Sequence, residues 1–410
     1  MNEPHERAGA VIIGAGQAGL ATSYELMQRG LDHVVLERDR VGQAWRNRWD
    51  SLCMILPNWF NNLPGYPYQG DDPDGFQTRD EWVANLDRYV TSNGLPVWAG
   101  VAVDSVEQRV DGRFAMATSS GTFCVDNVVV ATGAYQAARL PGIATGIPAD
   151  IQQIHSGSYR NPATLPPGAV LVVGTGNSGS QIAEELSRAG RTVHLSVGYS
   201  GFPLRRYRGK DMYWWYVQAK LNQFRFEGGT LRGLGNTTGC GGGRALDLRR
   251  FSRDGVQLLG RIQSIDGADV TLADDLAESL AAIDRRTEEF RNAVDAFIQK
   301  TGLDAPQDDD TPDDVQNVVV PPSPTHIDLR AAGVTSVIWA TGYGWNLDWV
   351  QLPALDSNGG PIASGDAGPC PGLYFAGMRV YLPNSTSIGH VGPEAARIAG
   401  LIAARQPRAT

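Results

Sequence analysis

Cysteine is scarce in this chain of 410 residues, with Cys53, Cys124, Cys240 and Cys370 as its four members. They lie far apart and show neither a CxxC motif nor the Cys/His spacing of a zinc site. That pattern excludes a disulfide framework, a zinc knuckle and a thioredoxin-type redox pair, and it favours a reducing, cytoplasmic compartment. We therefore expect each cysteine to be a small buried hydrophobic residue, and we expect no metal site.

Long runs of one kind of residue are also missing. Thirty-five Lys and Arg oppose 44 Asp and Glu, and no block of like charge stands out, so a nucleic-acid partner is not expected. No apolar run reaches the ~18 residues that a membrane span needs, and the N-terminal stretch MNEPHERAG lacks the apolar core of a signal peptide. We expect neither a membrane span nor export.

Glycine, in contrast, is abundant, with 49 residues, and two of its clusters interrupt βαβ patterns. The apolar run 11–13 stops at Gly14, a helix-compatible stretch follows at 17–29, and residues 31–37 have the composition of a second buried strand. The same order recurs in residues 169–197. The repeat predicts an α/β fold with two Rossmann-like dinucleotide-binding domains.

The segments between and after these units indicate a nested domain order. Residues 97–130 alternate as in an antiparallel meander and end in Ala131-Thr132-Gly133, and Ala340-Thr341-Gly342 closes a similar strand late in the chain. An amphipathic helix is predicted at about 274–300. We predict one domain from residues 1–150 and 325–410 and a second domain, inserted into it, from residues 151–324, with an irregular insertion at about 220–320.

Both βαβ units carry the pattern GxGxxG, at 14–19 and 174–179. The first glycine permits a tight turn, the second lets the backbone approach a pyrophosphate on the helix N-terminus, and the third lets helix and strand pack closely. A glycine-rich turn without a ligand is the alternative, but requiring three preceding apolar residues reduces chance matches to about 0.05 per chain. The predicted contacts are Gly14, Gly16, Gln17, Ala18 and Gly19 at the first turn and Gly174, Gly176, Asn177, Ser178 and Gly179 at the second.

The residues after each turn distinguish the two nucleotides. Glu37, followed by Arg38, ends the second strand of the first unit, where a carboxylate can accept hydrogen bonds from ribose hydroxyls. The equivalent position of the second unit is Val197, beside Ser196, so no acid is present to repel a 2′-phosphate. A basic cluster follows and predicts NADPH, with a solvated surface loop as the alternative. Its members are Arg205, Arg206, Arg208 and Lys210.

These features resemble the flavin-dependent monooxygenases with two dinucleotide domains, which include flavin-containing monooxygenases, plant indole-pyruvate monooxygenases and related bacterial oxidoreductases. The resemblance extends from about residue 8 to 400 and is weakest in 220–320. It rests on both GxGxxG turns, both Ala-Thr-Gly strand ends, Gly42-Gln43-Ala44-Trp45 and the segment 372–377. It implies FAD at the first turn and NADPH at the second. The further cofactor contacts that it implies are Gly42, Gln43, Trp45, Thr132, Gly133, Thr341, Gly342 and Gly377.

The family also has a linker motif, FxGxxxHxxxW or Y, before its second domain. His155 and Tyr159 match the second half of that motif, whereas Ala149 and Ile151 replace its Phe and Gly. Tyr159 is similar to the branch that oxidises heteroatoms rather than to the Baeyer–Villiger branch. His155 is a catalytic candidate whose implied role is domain positioning, and a hydrogen-bonded linker histidine is the alternative.

Two further catalytic candidates lie in segments that could cover a flavin ring. Residues 42–66 are dense in aromatic and amide groups, and Asn58 is the predicted donor near the reacting edge of the flavin. His390 precedes the last helix, whose positive end would stabilise an anionic reduced ring. The alternatives are an ordinary core cap for the aromatic segment and a solvent-facing cap for His390.

The resemblance implies a single-component NADPH-dependent FAD monooxygenase that acts through a C4a-(hydro)peroxyflavin on a small organic substrate and O2. N- or S-oxygenation or hydroxylation is the favoured reaction, and Baeyer–Villiger oxygenation of a ketone is an alternative. An NAD(P)H:acceptor flavin reductase and a non-enzymatic flavin-binding protein are further alternatives. The insertion at 220–320 is expected to form either a substrate tunnel or a homodimer contact.

Overall fold

The computed structural model describes residues 9–198, 200–219, 225–226, 229–230, 235–307, 315, 318–362, 370–378 and 388–405. Its helices are α1 (Gln17–Gln28), α2 (Gln43–Arg46), α3 (Arg79–Asn93), α4 (Asn177–Arg188), α5 (Met212–Gln218), α6 (Leu248–Arg253), α7 (Leu276–Thr301) and α8 (Val391–Arg405). Its strands are β1 (Ala10–Ile13), β2 (His33–Glu37), β3 (Val97–Ala99), β4 (Val103–Gln108), β5 (Phe114–Thr118), β6 (Gly121–Val125), β7 (Asn127–Val130), β8 (Ala137–Ala138), β9 (Gln152–His155), β10 (Ala169–Val173), β11 (Val193–Ser196), β12 (Arg206–Tyr207), β13 (Lys210–Asp211), β14 (Arg225–Phe226), β15 (Gly229–Thr230), β16 (Thr237–Thr238), β17 (Arg244–Ala245), β18 (Gln257–Leu259), β19 (Ile262–Asp266), β20 (Asp269–Leu272), β21 (His326–Asp328), β22 (Val334–Trp339), β23 (Tyr343–Gly344) and β24 (Leu373–Phe375).

The chain divides into two compact units, each built from separate stretches of sequence. The first unit comprises Met1–Asn47, Asn58–Ala138 and Gly342–Thr410, and the second comprises Arg48–Pro57 and Arg139–Thr341. These limits differ from the predicted domain limits at 150 and 325, and the short segment Arg48–Pro57 was not expected in the second unit.

The first unit is organised around a five-stranded parallel sheet with the order β24-β7-β1-β2-β3. Its central strand β1 is fully apolar and buried, as parallel strands covered on both faces are. Ile13 pairs with Leu36 on one side and with Val130 on the other, so β1, β2 and β7 end at the same edge. That edge carries the first GxGxxG turn and Glu37. The predicted meander appears as the antiparallel sheet β4-β5-β6.

The second unit has its own five-stranded parallel sheet, with the order β18-β11-β10-β22-β9. The prediction that placed residues 325–410 in the first domain is wrong for β22, which pairs with β10 on one side and with β9 on the other. A strand as apolar as Val334–Trp339 fits the centre of either parallel sheet, so composition alone does not assign it. The predicted amphipathic helix is α7, which ends at Gly302 in the left-handed conformation (φ 64°).

The cysteines also differ from the expectation. Cys53 and Cys240 form a disulfide, with their Cα atoms 5.3 Å apart, and both belong to the second unit. Cys370 is a buried free thiol, as expected, whereas the free thiol of Cys124 is half-buried. Sequence spacing cannot detect this disulfide, because its partners are 187 residues apart and meet only through the tertiary fold. Within the described residues, no helix is long and apolar enough to cross a membrane.

Candidate cofactor-binding sites

The first GxGxxG turn has the geometry of a pyrophosphate-binding loop. Gly14 adopts a φ of 107°, and a Cβ there would lie 2.8 Å from the Ala131 carbonyl oxygen. A Cβ at Gly19 would lie 1.9 Å from the Gly14 carbonyl oxygen, so only glycine lets α1 pack this closely on β1. At Gly16, by contrast, a Cβ would meet no described atom within 4 Å. Gly16 therefore leaves an open cradle before the first turn of α1, which no side chain caps.

Glu37 is held at the edge of this cradle. Its Oε2 accepts a hydrogen bond from the Ala15 backbone N–H (2.8 Å), and its Oε1 accepts one from the Asp39 N–H (3.0 Å). Each carboxylate oxygen can accept a second hydrogen bond, so the group is oriented and still available to ribose hydroxyls. Arg38 does not contribute to this cradle, because its exposed guanidinium pairs with Asp39.

The Gly42–Trp45 motif is anchored to the same turn. The Gly42 N–H donates to the Ala15 carbonyl oxygen (3.0 Å), and the Trp45 indole N–H donates to Gln17 Oε1 (2.9 Å). Gln43 instead lies on the exposed side, where its amide binds Asn47. The start of α1 therefore brings together three residues that were predicted at the FAD site: Gln17, Gly42 and Trp45.

The segments after β7 and β24 carry three more of the predicted residues of the first unit, Thr132, Gly133 and Gly377. Thr132 Oγ1 and the Gly133 carbonyl oxygen both accept hydrogen bonds from the Gln136 side chain (2.7 Å each). The Gly377 N–H donates to Glu394 Oε2 (2.6 Å), and Glu394 is only 1% exposed. Sequence analysis missed Glu394 as a site residue; an acidic residue in the first turn of an apolar helix was the available signal.

Phe60 links the segments that carry Asn58 and His390 in the first unit. Phe60 shares a 3-10 turn with Asn58, and its ring packs edge-on against the His390 imidazole at 5.3 Å between centroids. Burial lowers the pKa of His390, which favours the neutral form of its imidazole. That shift opposes a positive charge on His390 beside the start of α8, and a catalytic role for this residue stays a prediction.

The Asn58 side chain is also not the free donor that was predicted. Its Nδ2 donates to the Asp72 carbonyl oxygen (2.9 Å), while its Oδ1 is buried and accepts no hydrogen bond from the described residues. It lines a cavity of about 480 Å³ together with Tyr66, Phe76 and Trp82. The group that Asn58 can still offer to a ligand is an acceptor.

The second GxGxxG turn repeats the geometry of the first. Gly174 has a φ of 105°, and a Cβ there would lie 2.7 Å from the Ala340 carbonyl oxygen. A Cβ at Gly179 would lie 1.9 Å from the Gly174 carbonyl oxygen, whereas one at Gly176 would meet nothing within 4 Å. The two Ala-Thr-Gly strand ends thus have equivalent places, Ala131 beside the first turn and Ala340 beside the second. Thr341 belongs to the second turn, and its hydroxyl donates to the Arg139 carbonyl oxygen (2.5 Å).

Several predicted contacts of the second turn bind protein groups instead. Asn177 Oδ1 accepts a hydrogen bond from the Thr237 N–H (3.0 Å), and the buried Ser196 hydroxyl donates to the Gly260 carbonyl oxygen (3.0 Å). Val197, the counterpart of Glu37, is fully buried. The second turn therefore has an open cradle at Gly176 and no carboxylate at the ribose position.

The three predicted phosphate-binding arginines do not form one cluster. Arg205 is 4% exposed and pairs with Asp211 (2.7 Å); burial lowers the pKa of Arg205 and raises that of Asp211. Arg208 binds Asp295 (3.0 Å). Arg206 alone among the three presents an exposed side chain. Residue spacing does not reveal these pairs, because Asp295 is 87 residues from Arg208 along the chain and the Arg205–Asp211 contact depends on the pairing of β12 with β13.

His155 and Tyr159 both make hydrogen bonds within the second unit. His155 is buried at the end of β9, and its Nδ1 accepts a hydrogen bond from the Gly157 N–H (3.1 Å). Tyr159 is fully buried, and its hydroxyl donates to Glu185 Oε2 (2.9 Å) on α4. Burial beside that carboxylate raises the pKa of Tyr159, so it stays protonated.

Comparison with known proteins agrees with this geometry. The family model described as "Pyridine nucleotide-disulphide oxidoreductase" matches residues 11–208. An uncharacterized CzcO-like oxidoreductase of Geobacillus kaustophilus is 34% identical over 94% of this chain and 95% of its own length. The chain belongs to this family of CzcO-like oxidoreductases. The comparisons confirm the predicted relationship to the flavin monooxygenases.

Two further comparisons are with proteins that are named as monooxygenases. Rice indole-3-pyruvate monooxygenase YUCCA4 is 35% identical over 48% of this chain and 51% of its own length. The solved flavin-containing monooxygenase of Stenotrophomonas maltophilia is 20% identical and covers 97% of this chain and 99% of its own, with a TM-score of 0.67. The predicted α/β fold and enzyme class are confirmed, and flavin monooxygenases of this family use FAD and NADPH.

Proposed function

We propose that this CzcO-like oxidoreductase is a single-component FAD monooxygenase that takes its electrons from NADPH. The observation that carries the proposal is the pair of GxGxxG turns with equal geometry and different ribose positions. The first has Glu37 oriented by two backbone N–H groups, and the second has the apolar Val197. A carboxylate at that place favours a free ribose hydroxyl, whereas its absence tolerates a 2′-phosphate.

The first turn fits FAD. The open space at Gly16 admits a pyrophosphate against the uncapped N–H groups of α1, where the helix dipole favours negative charge. Glu37 would hold the ribose, and the Trp45 indole, fixed by Gln17, would form part of the wall around the cofactor. Gly377 would bring the backbone after β24 close to the flavin, with Glu394 fixing its N–H.

The second turn fits NADPH. The open space at Gly176 would admit its pyrophosphate at the start of α4, and the exposed Arg206 would bind the 2′-phosphate through charge-assisted hydrogen bonds. Arg205 and Arg208 would support that segment through Asp211 and Asp295 rather than bind the phosphate.

The bound cofactors would supply the redox chemistry, with NADPH reducing FAD and O2 trapped as a C4a-(hydro)peroxyflavin that passes one oxygen atom to a small organic substrate. The chain's own residues would orient the cofactors and exclude water. His390, whose neutral form is favoured by burial, would serve as a hydrogen-bond donor or acceptor at the start of α8. Oxygenation of a nucleophilic nitrogen or sulfur remains the favoured reaction, and Tyr159 supports it only as a family marker, because its hydroxyl is bound to Glu185.

The direct test uses the purified holoprotein. Anaerobic NADPH should bleach the flavin absorbance, and aerobic incubation with isotopically labelled O2 should place one labelled oxygen atom in methyl phenyl sulfide but not in cyclohexanone. Labelled lactone from the ketone would instead identify the Baeyer–Villiger alternative. Bleaching without a labelled product from either substrate would favour an acceptor reductase, and no bleaching would favour a non-enzymatic flavin-binding protein.

Glu37→Ala should weaken FAD binding about 10- to 100-fold, because a hydrogen bond to a charged acceptor contributes about 1.5–3 kcal/mol. FAD content after dialysis and fluorescence titration of the apoprotein measure the change. Glu37→Gln, which keeps one acceptor, should lie between Glu37→Ala and the unmodified protein. Equal FAD affinity in all three proteins would contradict the assignment.

Arg206→Gln should raise the Michaelis constant for NADPH roughly tenfold and leave that for NADH unchanged, because it removes one charge-assisted phosphate contact. The matched control is Arg109→Gln, which removes an exposed arginine of the first unit that pairs with Asp111. Anaerobic flavin reduction at varied coenzyme concentration gives both constants. An equal rise in the Michaelis constants for NADPH and NADH would show that Arg206 does not bind the 2′-phosphate.

A further inference from the structure

We propose that the Cys53–Cys240 disulfide is a thiol–disulfide exchange site for low-molecular-weight thiols, and that its reduction loosens the β16–β17 hairpin on α4 and weakens the second dinucleotide site. The part concerning the dinucleotide rests on the proposed function. The thiol–disulfide exchange does not depend on the proposed function.

Both oxidation states of the cysteine pair fit their surroundings. The Cα atoms are 5.3 Å apart, within the usual range for a disulfide, and both residues are half-buried rather than sealed in the core. The Ser51 carbonyl oxygen lies 3.2 Å from Cys240 Sγ and 3.6 Å from Cys53 Sγ. A disulfide has no S–H to donate, so this oxygen is a ready acceptor for a thiol once the bond is reduced.

The disulfide joins two segments that are otherwise held to the second unit by noncovalent contacts. One is Arg48–Pro57, where the Asp50 N–H donates to the Arg160 carbonyl oxygen (2.9 Å) and the Ile55 carbonyl oxygen accepts from Arg205 Nη1 (2.7 Å). The other is the tip of the β16–β17 hairpin, which carries Cys240. The first segment retains these hydrogen bonds after reduction, so it acts as the fixed side of the link.

The hairpin tip is held by the disulfide together with Arg244, which donates to the Cys240 carbonyl oxygen (2.6 Å) and pairs with Glu184 on α4 (2.5 Å). Its strands contain two residues each, and Gly241, Gly242 and Gly243 all adopt a positive φ (64°, 81° and 82°). A two-stranded hairpin is marginal on its own, and a run of glycine has the largest conformational entropy to regain when a constraint is removed. Reduction should therefore increase the motion of the tip.

That motion would reach the second GxGxxG turn through Thr237. The Thr237 N–H donates to Asn177 Oδ1 (3.0 Å), and its carbonyl oxygen accepts from Gln181 Nε2 (2.8 Å). Asn177 is the first residue of α4 and directly follows Gly176, where the cradle lies. Loss of one such neutral hydrogen bond corresponds to roughly a two- to tenfold change in a dissociation constant.

The exchange chemistry balances with thiols alone. One thiolate attacks a sulfur of the disulfide, forms a mixed disulfide and releases the other cysteine as a thiolate; a second thiolate then attacks the mixed disulfide. Two thiols become one small disulfide, the protein gains two electrons, and two protons end on Cys53 and Cys240. Reoxidation by an excess of the small disulfide reverses each step.

The test treats the FAD-loaded protein with dithiothreitol or with reduced and oxidised glutathione. Peptide mapping after native alkylation should show Cys53 and Cys240 cross-linked before treatment, alkylated after reduction, and cross-linked again after reoxidation. The dissociation constant of NADP⁺ should rise roughly two- to tenfold on reduction. Amide hydrogen exchange at residues 235–247 should accelerate at the same time. The double variant Cys53→Ser/Cys240→Ser should mimic the reduced protein and ignore thiols, whereas Cys124→Ser, at a free half-buried thiol, should respond normally.

A cysteine pair that is never cross-linked, or that exchanges only in denaturant, would overturn the exchange site. Reversible exchange with unchanged amide protection in the hairpin would overturn the coupling. If NADP⁺ failed to bind either form, the proposed function would fail, while alkylation and amide exchange would still decide this proposal separately.

Discussion

Gly176→Ala should abolish most of the NADPH-driven reduction of bound FAD while leaving the FAD content unchanged. A Cβ at this position meets no described protein atom within 4 Å, and the φ of −69° suits any residue, so the variant should fold. The added carbon would occupy the space in which a pyrophosphate approaches the start of α4. Overpacking costs about 1–3 kcal/mol, which corresponds to roughly a 10- to 100-fold loss of NADPH affinity. Anaerobic reduction rates at increasing NADPH concentration measure it.

The mirror variant and a matched control make this prediction specific. Gly16→Ala has the same open surroundings in the first unit, with a φ of −82°, and should yield protein depleted of FAD. Gly400→Ala adds a carbon in equally open space on α8 and should change neither cofactor. If Gly176→Ala lowered FAD content and Gly16→Ala impaired only NADPH, the assignment of the two turns would have to be exchanged.

The fold was predictable where a local pattern determines it. Both βαβ units were found from their apolar runs and glycines, because a buried parallel strand, a tight turn and a helix each require particular residue types in a fixed order. The structure explains the third glycine of each turn, because a Cβ at Gly19 or Gly179 would lie only 1.9 Å from the carbonyl oxygen of the first glycine.

Long-range pairing was not predictable from the sequence. The strand Val334–Trp339 could have joined either sheet, and its register with β10 and β9 decides the matter. The disulfide between Cys53 and Cys240 likewise requires two distant segments to meet. Neither the pairing of this strand nor the disulfide has a local sequence pattern, because both depend on which apolar surfaces pack together in the folded chain.

In the candidate site, too, local features follow from the sequence and long-range contacts do not. Glycines and Glu37 take the places that their spacing predicts, since these depend on the turn itself. The arginines do not, because a long side chain binds whichever carboxylate the tertiary fold provides: Asp211 for Arg205 and Asp295 for Arg208. Residue type alone therefore overestimates the number of phosphate ligands.

Asp211→Asn should destabilise the second unit by about 3–5 kcal/mol, because it leaves the Arg205 charge buried without its carboxylate partner. Arg205 is 4% exposed, and the shortest contact of the pair is 2.7 Å. For a unit of this size the loss corresponds to roughly 6–20 °C in the midpoint of thermal unfolding. Asn retains an acceptor for the Tyr213 N–H at the start of α5, so the helix cap is preserved and the effect reports the charge.

Two comparisons separate the buried pair from a general loss of negative charge. Asp150→Asn breaks an exposed pair with Arg330 in the same unit and should cost at most about 1 kcal/mol. Arg205→Met/Asp211→Asn removes both charges and should be more stable than Asp211→Asn alone, although the hydrogen bond from Arg205 to Ile55 is lost. Equal melting temperatures for Asp211→Asn and Asp150→Asn would mean that water reaches Arg205. In that case Arg205 would regain its place among the phosphate-binding candidates, because a hydrated guanidinium is free to turn toward a ligand.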